Sequence, residues 1–293
     1  MNKTLSEMLE KYEIKTDKDE INALKEIIQE LVISGLSKSD FFNRAAFYGG
    51  TALRIFYDLD RFSEDLDFAL VSPDKNFDLS AYFPFIEKEV SLYGLNLKVD
   101  TKIKTKESNI SSAFLKGDTM EHILIFFSES NLQNNSKLLR DIKIKFEIDI
   151  NPPSGAEYEI KYKLLPTPHS VRLYNKESLF AGKIHAILCR NWSHRTKGRD
   201  LYDLPDFWLR FCQPRCENKR RVSGLRVGKT WRSGALWFEC CHPKNVTFER
   251  SSLTIDYDAA KNDVAPFLDD STKLNIWSME FFQSITDNLH EEQ

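Results

Sequence analysis

Apolar positions recur with a helical period near the start of the chain and then switch to the alternation of strands. Ile21, Leu24, Ile27, Ile28, Leu31 and Val32 share one face of a helix predicted from Asp17 to Leu36. Arg44 to Tyr48 reads as a short apolar strand ending at Gly49-Gly50, and Thr51 to Tyr57 as a helix with Ala52, Leu53, Ile55 and Phe56 turned inward. Leu66 to Val71 is the next strand and Leu79 to Tyr93 a second amphipathic helix. Leu95 to Lys106, Glu121 to Ser128 and Asp141 to Ile150 alternate like strands. In the last of these, Ile142, Ile144, Phe146, Ile148 and Ile150 fall on one face, and Lys143, Lys145, Glu147 and Asp149 on the other. Pro152-Pro153 closes it, because proline cannot donate to a ladder. Beyond Lys176 the pattern turns helical, over Lys176 to Asn191, Gly198 to about Leu204, Asp256 to Val264 and Lys273 to Asn288. The expectation is an α+β fold. A mixed sheet with helices, residues 1–165 including N-terminal helices, is followed by a mainly helical half, residues 166–293.

Composition narrows the class. A chain of 293 residues holds one large domain or two modest ones. With 41% hydrophobic and 29% charged residues it matches an ordinary globular protein. The formal charge of −3 excludes a polycation, so nucleic-acid contact would need a local basic patch. No apolar run approaches about 20 residues, the length a membrane span needs, and Met1-Asn2-Lys3-Thr4-Leu5-Ser6-Glu7 lacks an apolar signal core. The expectation is a cytoplasmic protein. The five cysteines are unevenly placed, Cys189 alone and then Cys212, Cys216, Cys240 and Cys241, which is unlike a secreted disulfide framework.

The chemistry concentrates in Tyr48-Gly49-Gly50-Thr51-Ala52-Leu53-Arg54 and in Ser63-Glu64-Asp65-Leu66-Asp67-Phe68. Glycines at a strand-to-helix turn let the backbone approach an anion with no β-carbon in the way. The helix start adds free N–H groups and a partial positive charge, and Thr51 adds a hydroxyl. By itself a Gly-Gly pair is usually a plain turn. Asp65 and Asp67 change the balance, because residues two apart in a strand leave the same face. Two such carboxylates repel unless a cation sits between them, and Mg²⁺ favours a few carboxylates with phosphate oxygens and water. Glu64 points the other way. Sites with two metal ions commonly use a third acid. Glu147 and Asp149 both lie on a polar strand face and either completes the set; Glu147 is preferred.

With Arg61-Phe62 opening the second, these blocks resemble the AbiEii/AbiGii-type toxin nucleotidyltransferases of the DNA-polymerase-β-like superfamily. Three further blocks agree: Ile144 to Asp149 leading into Asn151-Pro152-Pro153, Leu179 to Ala186 continuing to Arg190, and Lys197-Gly198-Arg199-Asp200-Leu201-Tyr202-Asp203. The match covers roughly residues 20 to 204. It implies a nucleotidyltransferase-type sheet and a toxin of a type IV-like toxin–antitoxin or phage-defence system, with a winged-helix antitoxin as partner. It implies transfer of a nucleotide from an NTP to an acceptor hydroxyl, RNA and in particular the tRNA 3′ end, with Mg²⁺ in a two-metal site. Carried over, Gly49, Gly50, Thr51 and Arg54 would bind the nucleotide, and Asp65, Asp67 and Glu147 the metal, with Asp149 beside them. Lys183 would contact phosphate and Asp200 would sit in the last motif. A lysine near metal-bound triphosphate offsets its charge, and positioning with charge neutralisation is most of phosphoryl-type catalysis. Arg190, His194, Arg195, Lys197 and Arg199 form a basic cluster where an RNA backbone could dock, or a solvated helix end.

Residues 205 to about 250 depart from this pattern. They hold four of the five cysteines and three of the five tryptophans, and helical periodicity stops after Asp203. A zinc site from Cys212, Cys216, Cys240, Cys241 and His242 has poor spacing, since an adjacent cysteine pair is not a usual ligand knuckle. A plain insertion is one alternative. Compensating frameshifts in the coding DNA are the sharper one: with suitable codons, Phe238 to Val246 read one nucleotide later give an amphipathic, helix-forming string. Two functional classes follow from the whole reading, an active nucleotidyltransferase and a nucleotide- or antitoxin-binding module of the same fold without turnover.

Overall fold

The computed structural model describes residues 3–101, 119–127, 142–152, 155–189, 196–207, 255–282 and 284. The described chain resolves into two compact units. The first is drawn from Met1–Asp58, Phe62–Pro152 and Tyr158–Tyr174, the second from Leu59–Arg61, Pro153–Glu157 and Asn175–Gln293. The expected zinc, insertion and frameshift readings of residues 205–250 fall, beyond Phe207, outside the described residues, as do Arg190, His194 and Arg195 and the predicted strand beyond Thr101.

The first unit opens with α1 (Lys3–Leu9) and α2 (Asp17–Ser37). Thr16 caps α2 through its side chain, which accepts from the Asp19 backbone N–H, while Asp19 reaches back to the Thr16 N–H, a reciprocal box. A short α3 (Phe41–Arg44) leads into β1 (Ala45–Tyr48), α4 (Gly49–Tyr57) and β2 (Leu66–Leu70). The helix predicted from Leu79 to Tyr93 is split. A 3-10 turn over Leu79–Tyr82 precedes α5 (Phe83–Ser91), because Pro84 has no N–H to give and starts the helix afresh in its first turn.

Strands β3 (Asn96–Thr101), β4 (Thr119–Phe127), β5 (Ile142–Asp149), β6 (Tyr158–Lys163) and β7 (His169–Tyr174) complete a mixed sheet in the order β3-β4-β5-β2-β1-β7-β6, seven strands among the described residues. The pairs β2–β5 and β1–β7 are parallel and the others antiparallel. One face of the sheet is apolar and carries α2 and α5. Its centre is an aromatic block in which Phe68 stacks on Phe146 at 4.7 Å and meets Phe47 at 5.0 Å, with Phe41 edge-on at 5.1 Å. All four rings are buried. This block fixes which side chains point the other way, because a strand's period of two leaves no other choice.

Strand β6 carries its amphipathicity the wrong way round, and the alternation does not announce it. Ile160 and Tyr162 are exposed, whereas the charged positions face the helices. Glu159 accepts from the Tyr57 hydroxyl, Lys161 lies 3.6 Å from the Tyr57 ring centroid, and Lys163 pairs with Glu30 at 2.8 Å. The inner face of this edge strand is satisfied by ion pairs and a cation–π contact instead of by packing.

In the second unit, α6 (Lys176–Cys189), α7 (Gly198–Phe207) and α8 (Tyr257–Val264) are followed by 3-10 turns over Ala265–Phe267 and Ser271–Ile276. The expected helix from Lys273 to Asn288 is replaced over its first residues by the second of these turns. α7 packs on both α6 and α8, and a Cβ at Gly198 would overlap the backbone of Ala260. Among the described residues, no helix is long and apolar enough to cross a membrane.

Candidate active site

Strand register sets Asp67 and Glu147 side by side on the sheet face opposite the aromatic block. Asp67 pairs by Cα with Glu147 on the parallel β5 and with Tyr48 on the antiparallel β1. Neighbouring strands lie about 4.8 Å apart, so Tyr48, Asp67 and Glu147 form one transverse row. Asp65 stands two residues before Asp67. Asp149, two residues beyond Glu147, pairs with Ala69 and accepts from the Asn151 N–H at 3.0 Å.

The glycine turn is fitted to this row at two points. Gly49 has φ +82°, a conformation that side chains with a β-carbon rarely adopt. A Cβ there would run into the Asp67 carboxylate, meeting its Cγ at 3.0 Å. The first turn of α4 has no side-chain cap, and the carboxylate of Asp67 stands against it. Two residues on, the fully buried Thr51 donates its hydroxyl to the carbonyl oxygen of Asp65. The hydroxyl read as a phosphate donor thus holds the backbone of the first acid.

Other predicted residues are engaged locally. Lys145 pairs with Glu147 at 2.6 Å along the same strand face. Arg54 donates to Glu26 of α2 at 2.8 Å and lies over the Phe62 ring at 4.6 Å. Glu64 points to the other side, as expected, and pairs with Lys25 at 2.8 Å. Tyr48 has its phenol pKa raised well above the ordinary value, by burial first and then by Asp67, Asp149, Tyr174 and Glu147.

Lys183 and Asp200 belong to the second unit, where they join a buried ion network. Lys183 reaches Asp203 at 2.7 Å and Asp200 at 3.3 Å. Arg61 donates to both oxygens of Asp203, Nε at 2.6 Å and Nη2 at 2.7 Å, a bidentate pair with Arg61 and Asp203 only 2% and 1% exposed. Burial alone would depress the pKa of Lys183 and Arg61; Asp203 above all, and Asp200, outweigh it, so both cations are held above their ordinary values. Arg199, next to Asp200 in the chain, stands 4.0 Å from Asp263 and over the Phe267 ring at 4.5 Å. Beside the network, Tyr202 donates to Asp60 at 2.6 Å and Lys273 pairs with the same carboxylate.

Residues 31–205 match the family described as "Nucleotidyl transferase AbiEii toxin, Type IV TA system". The match takes in more than half of the chain, with every block named above. The chain belongs to the AbiEii nucleotidyl transferase toxin family. Its members are toxins of type IV toxin–antitoxin systems, so an NTP and an antitoxin come with membership. Among solved structures the chain is similar to JHP933 from Helicobacter pylori, at 16% identity over 92% of this chain and 94% of that one, with a TM-score of 0.47. It is also similar to MenT4, a nucleotidyltransferase toxin from Mycobacterium tuberculosis H37Rv, at 16% identity over 98% of this chain and 97% of that one, with a TM-score of 0.44. No curated protein matches.

Within the family's blocks, the residues that sequence reasoning passed over are Arg61, Asp203 and Tyr48. Arg61 and Asp203 lie 142 positions apart and carry no local pattern. Their signal was their place at the edges of two motif blocks. As a cation site, the acid row offers oxygen donors only, the set a hard ion such as Mg²⁺ takes. Among the described residues no three His, Cys, Asp or Glu side chains stand close enough to hold a metal as they are. Glu147 is turned to Lys145, and its release from that pair is what the donor set requires.

Two stability measurements test this geometry. Gly49→Ala must force a left-handed backbone and displace Asp67, so urea unfolding should show a loss of about 1–3 kcal/mol; unchanged stability would mean the turn is not built as described. Asp203→Ala leaves Arg61 and Lys183 buried without their main partner, and should cost about 3–5 kcal/mol. A loss under about 1 kcal/mol, the value of an exposed pair, would contradict the network.

Proposed function

We propose that the protein transfers a nucleotide from an NTP to an acceptor hydroxyl, that the acceptor is RNA, in particular the tRNA 3′ end, and that the reaction depends on Mg²⁺. The observation that carries this reading is the pairing of Asp67 with Glu147 directly beside the Gly49-Gly50 helix start. An anion cradle adjoining paired acids suits a triphosphate that arrives with a cation. Family membership supports the NTP; the resemblance supports the tRNA end, a winged-helix antitoxin and a cytoplasmic setting. It also supports a mainly helical C-terminal half.

Asp65, Asp67 and Glu147 would hold Mg²⁺, as one ion or two, with Asp149 at the margin. When bound, the ion would offset the triphosphate's charge as it builds on the leaving group. The chain's own residues do the rest. The backbone N–H groups of Gly49 and Gly50 bind phosphate oxygens at the start of α4. Thr51 keeps Asp65 in place through its carbonyl. The acceptor oxygen attacks the α-phosphorus, the bond to the bridging oxygen of the β-phosphate breaks, and pyrophosphate leaves. The hydroxyl proton passes to the carboxylate of Glu147, which becomes a base once it leaves Lys145. In the second unit, Lys183 and Asp200 serve as bracing members of the ion network.

The direct test is incubation with each α-labelled NTP, Mg²⁺, total RNA and carrier protein. Label is expected on RNA, lost on chelation. It should fall more than about 100-fold in Asp65→Asn and Asp67→Asn, at an unchanged unfolding midpoint, since even outer-shell losses at metal sites reach 10- to 100-fold. Label on RNA from Asp67→Asn at the wild-type rate would remove the acid row from the reaction. Nucleotide binding by the wild-type protein with no label on RNA or protein would point to the binding module.

A further inference from the structure

The transverse row that holds Glu147 and Asp67 does not stop at Tyr48. Phe47 on β1 pairs with Leu173 on the parallel β7, which sets the next residues, Tyr48 and Tyr174, side by side on the opposite face. Tyr174 pairs in turn with Tyr158 on β6. Five adjacent strands thus contribute one residue each, in the order Glu147, Asp67, Tyr48, Tyr174, Tyr158. Two acids are followed by three tyrosines. The rings are in contact: Tyr48 stacks on Tyr174 at 5.2 Å with 25° between planes, and Tyr158 meets Tyr174 edge-on at 5.4 Å and 71°.

In the row, Tyr48 is the phenol on the strand paired with Asp67. Tyr48 is the residue before Gly49, its backbone is extended at φ −147° and ψ −167°, and it makes no side-chain cap to α4. Among the described residues its hydroxyl has no hydrogen bond, although the side chain is largely enclosed and lies next to Asp67 in the row. The hydroxyl is not among the buried orphan atoms, so it is open to an incoming acceptor. The stack on Tyr174 holds the ring, so little side-chain freedom remains to be lost when a ligand arrives. On a corner lined by carboxylates, the Tyr48 O–H is the side-chain donor of the row on the strand next to Asp67. A phosphate oxygen or a ribose hydroxyl of an incoming nucleotide is the acceptor that fits it, the former as a charge-assisted bond.

We propose that Tyr48 binds the incoming nucleotide, donating its hydroxyl to an oxygen of the triphosphate or ribose at the Asp67 end of the row, while Tyr174 and Tyr158 hold the ring upright. This rests on the nucleotidyltransferase reading given above and adds a nucleotide-contacting residue to it.

The test is equilibrium binding of ATP, GTP, CTP and UTP, each with Mg²⁺, and of inorganic tripolyphosphate, to the full chain. Tyr48→Phe keeps the ring and its stack and removes only the donor. We expect the NTP that wild type binds most tightly to bind Tyr48→Phe about tenfold more weakly or worse, at an unchanged unfolding midpoint. In the transfer assay the loss should fall on KM more than on kcat. An equal loss for tripolyphosphate assigns the bond to a phosphate oxygen, and a loss for the NTP alone assigns it to the ribose. Affinities within twofold of wild type for every ligand would overturn the inference. So would an equal loss in Tyr174→Phe, which removes a phenol one strand further from the acids, because the effect would then be general to the row. A shift only in the Mg²⁺ midpoint, with NTP affinity unchanged at saturating metal, would mean the hydroxyl serves a carboxylate and not the nucleotide. Asp67→Asn separates the two readings. If that variant is inactive while Tyr48→Phe matches wild type, only the Tyr48 assignment fails; if Asp67→Asn transfers nucleotide normally, the underlying function fails.

Discussion

The first turn of α4 and the acidic strand beside it are built as one piece. Gly49 must lack a β-carbon because the Asp67 carboxylate occupies that space, and Thr51 must carry a hydroxyl because the Asp65 carbonyl receives it. Neither contact is strong alone, a van der Waals fit and one hydrogen bond. Together they bind the two halves of the motif at both ends. The acids cannot shift along the sheet without breaking the turn, and the turn cannot relax without moving the acids. Interiors packed this closely transmit displacement instead of absorbing it.

The sheet supplies the other half of the constraint. Phe41, Phe47, Phe68 and Phe146 bury one face, and the period of two then commits Tyr48, Asp67 and Glu147 to the opposite face in a row. A slip of one residue between β2 and β5 would drive Asp67 into the aromatic block and expose Phe68. The chemistry of the polar face is thus protected by the apolar face behind it. In the second unit, the same economy is achieved by charge: Arg61, Lys183, Asp200 and Asp203 neutralise one another where water is scarce. Such a network is stable only when complete.

Much of this was legible in the chain. The helix from Asp17, the glycine turn and the alternation of Ile142 to Asp149 are all local patterns, and they appear as read. What stayed hidden depends on contacts between distant residues. Pro84 divides a periodic run into a 3-10 turn and a helix because of one missing N–H. Strand β6 escapes notice because its inner face is charged and its outer face apolar, the reverse of the usual rule. Arg61 and Asp203 are ordinary charges until the fold brings them together. Tyr48 reads as one more apolar strand residue until the register sets it beside Asp67. The Thr51 hydroxyl and the Arg54 guanidinium show the converse: residue types suited to phosphate that the fold turns to Asp65 and Glu26.

The central claim is that the glycine-lined helix start and the acid row form a single nucleotide site. A crystal structure with Mn²⁺ and a non-hydrolysable NTP analogue tests it most directly. The account predicts anomalous density for the ion at Asp67 with Asp65 or Glu147, Glu147 turned away from Lys145, and phosphate oxygens on the N–H groups of Gly49 and Gly50. An ion and triphosphate bound elsewhere, with Glu147 still paired to Lys145, would contradict it.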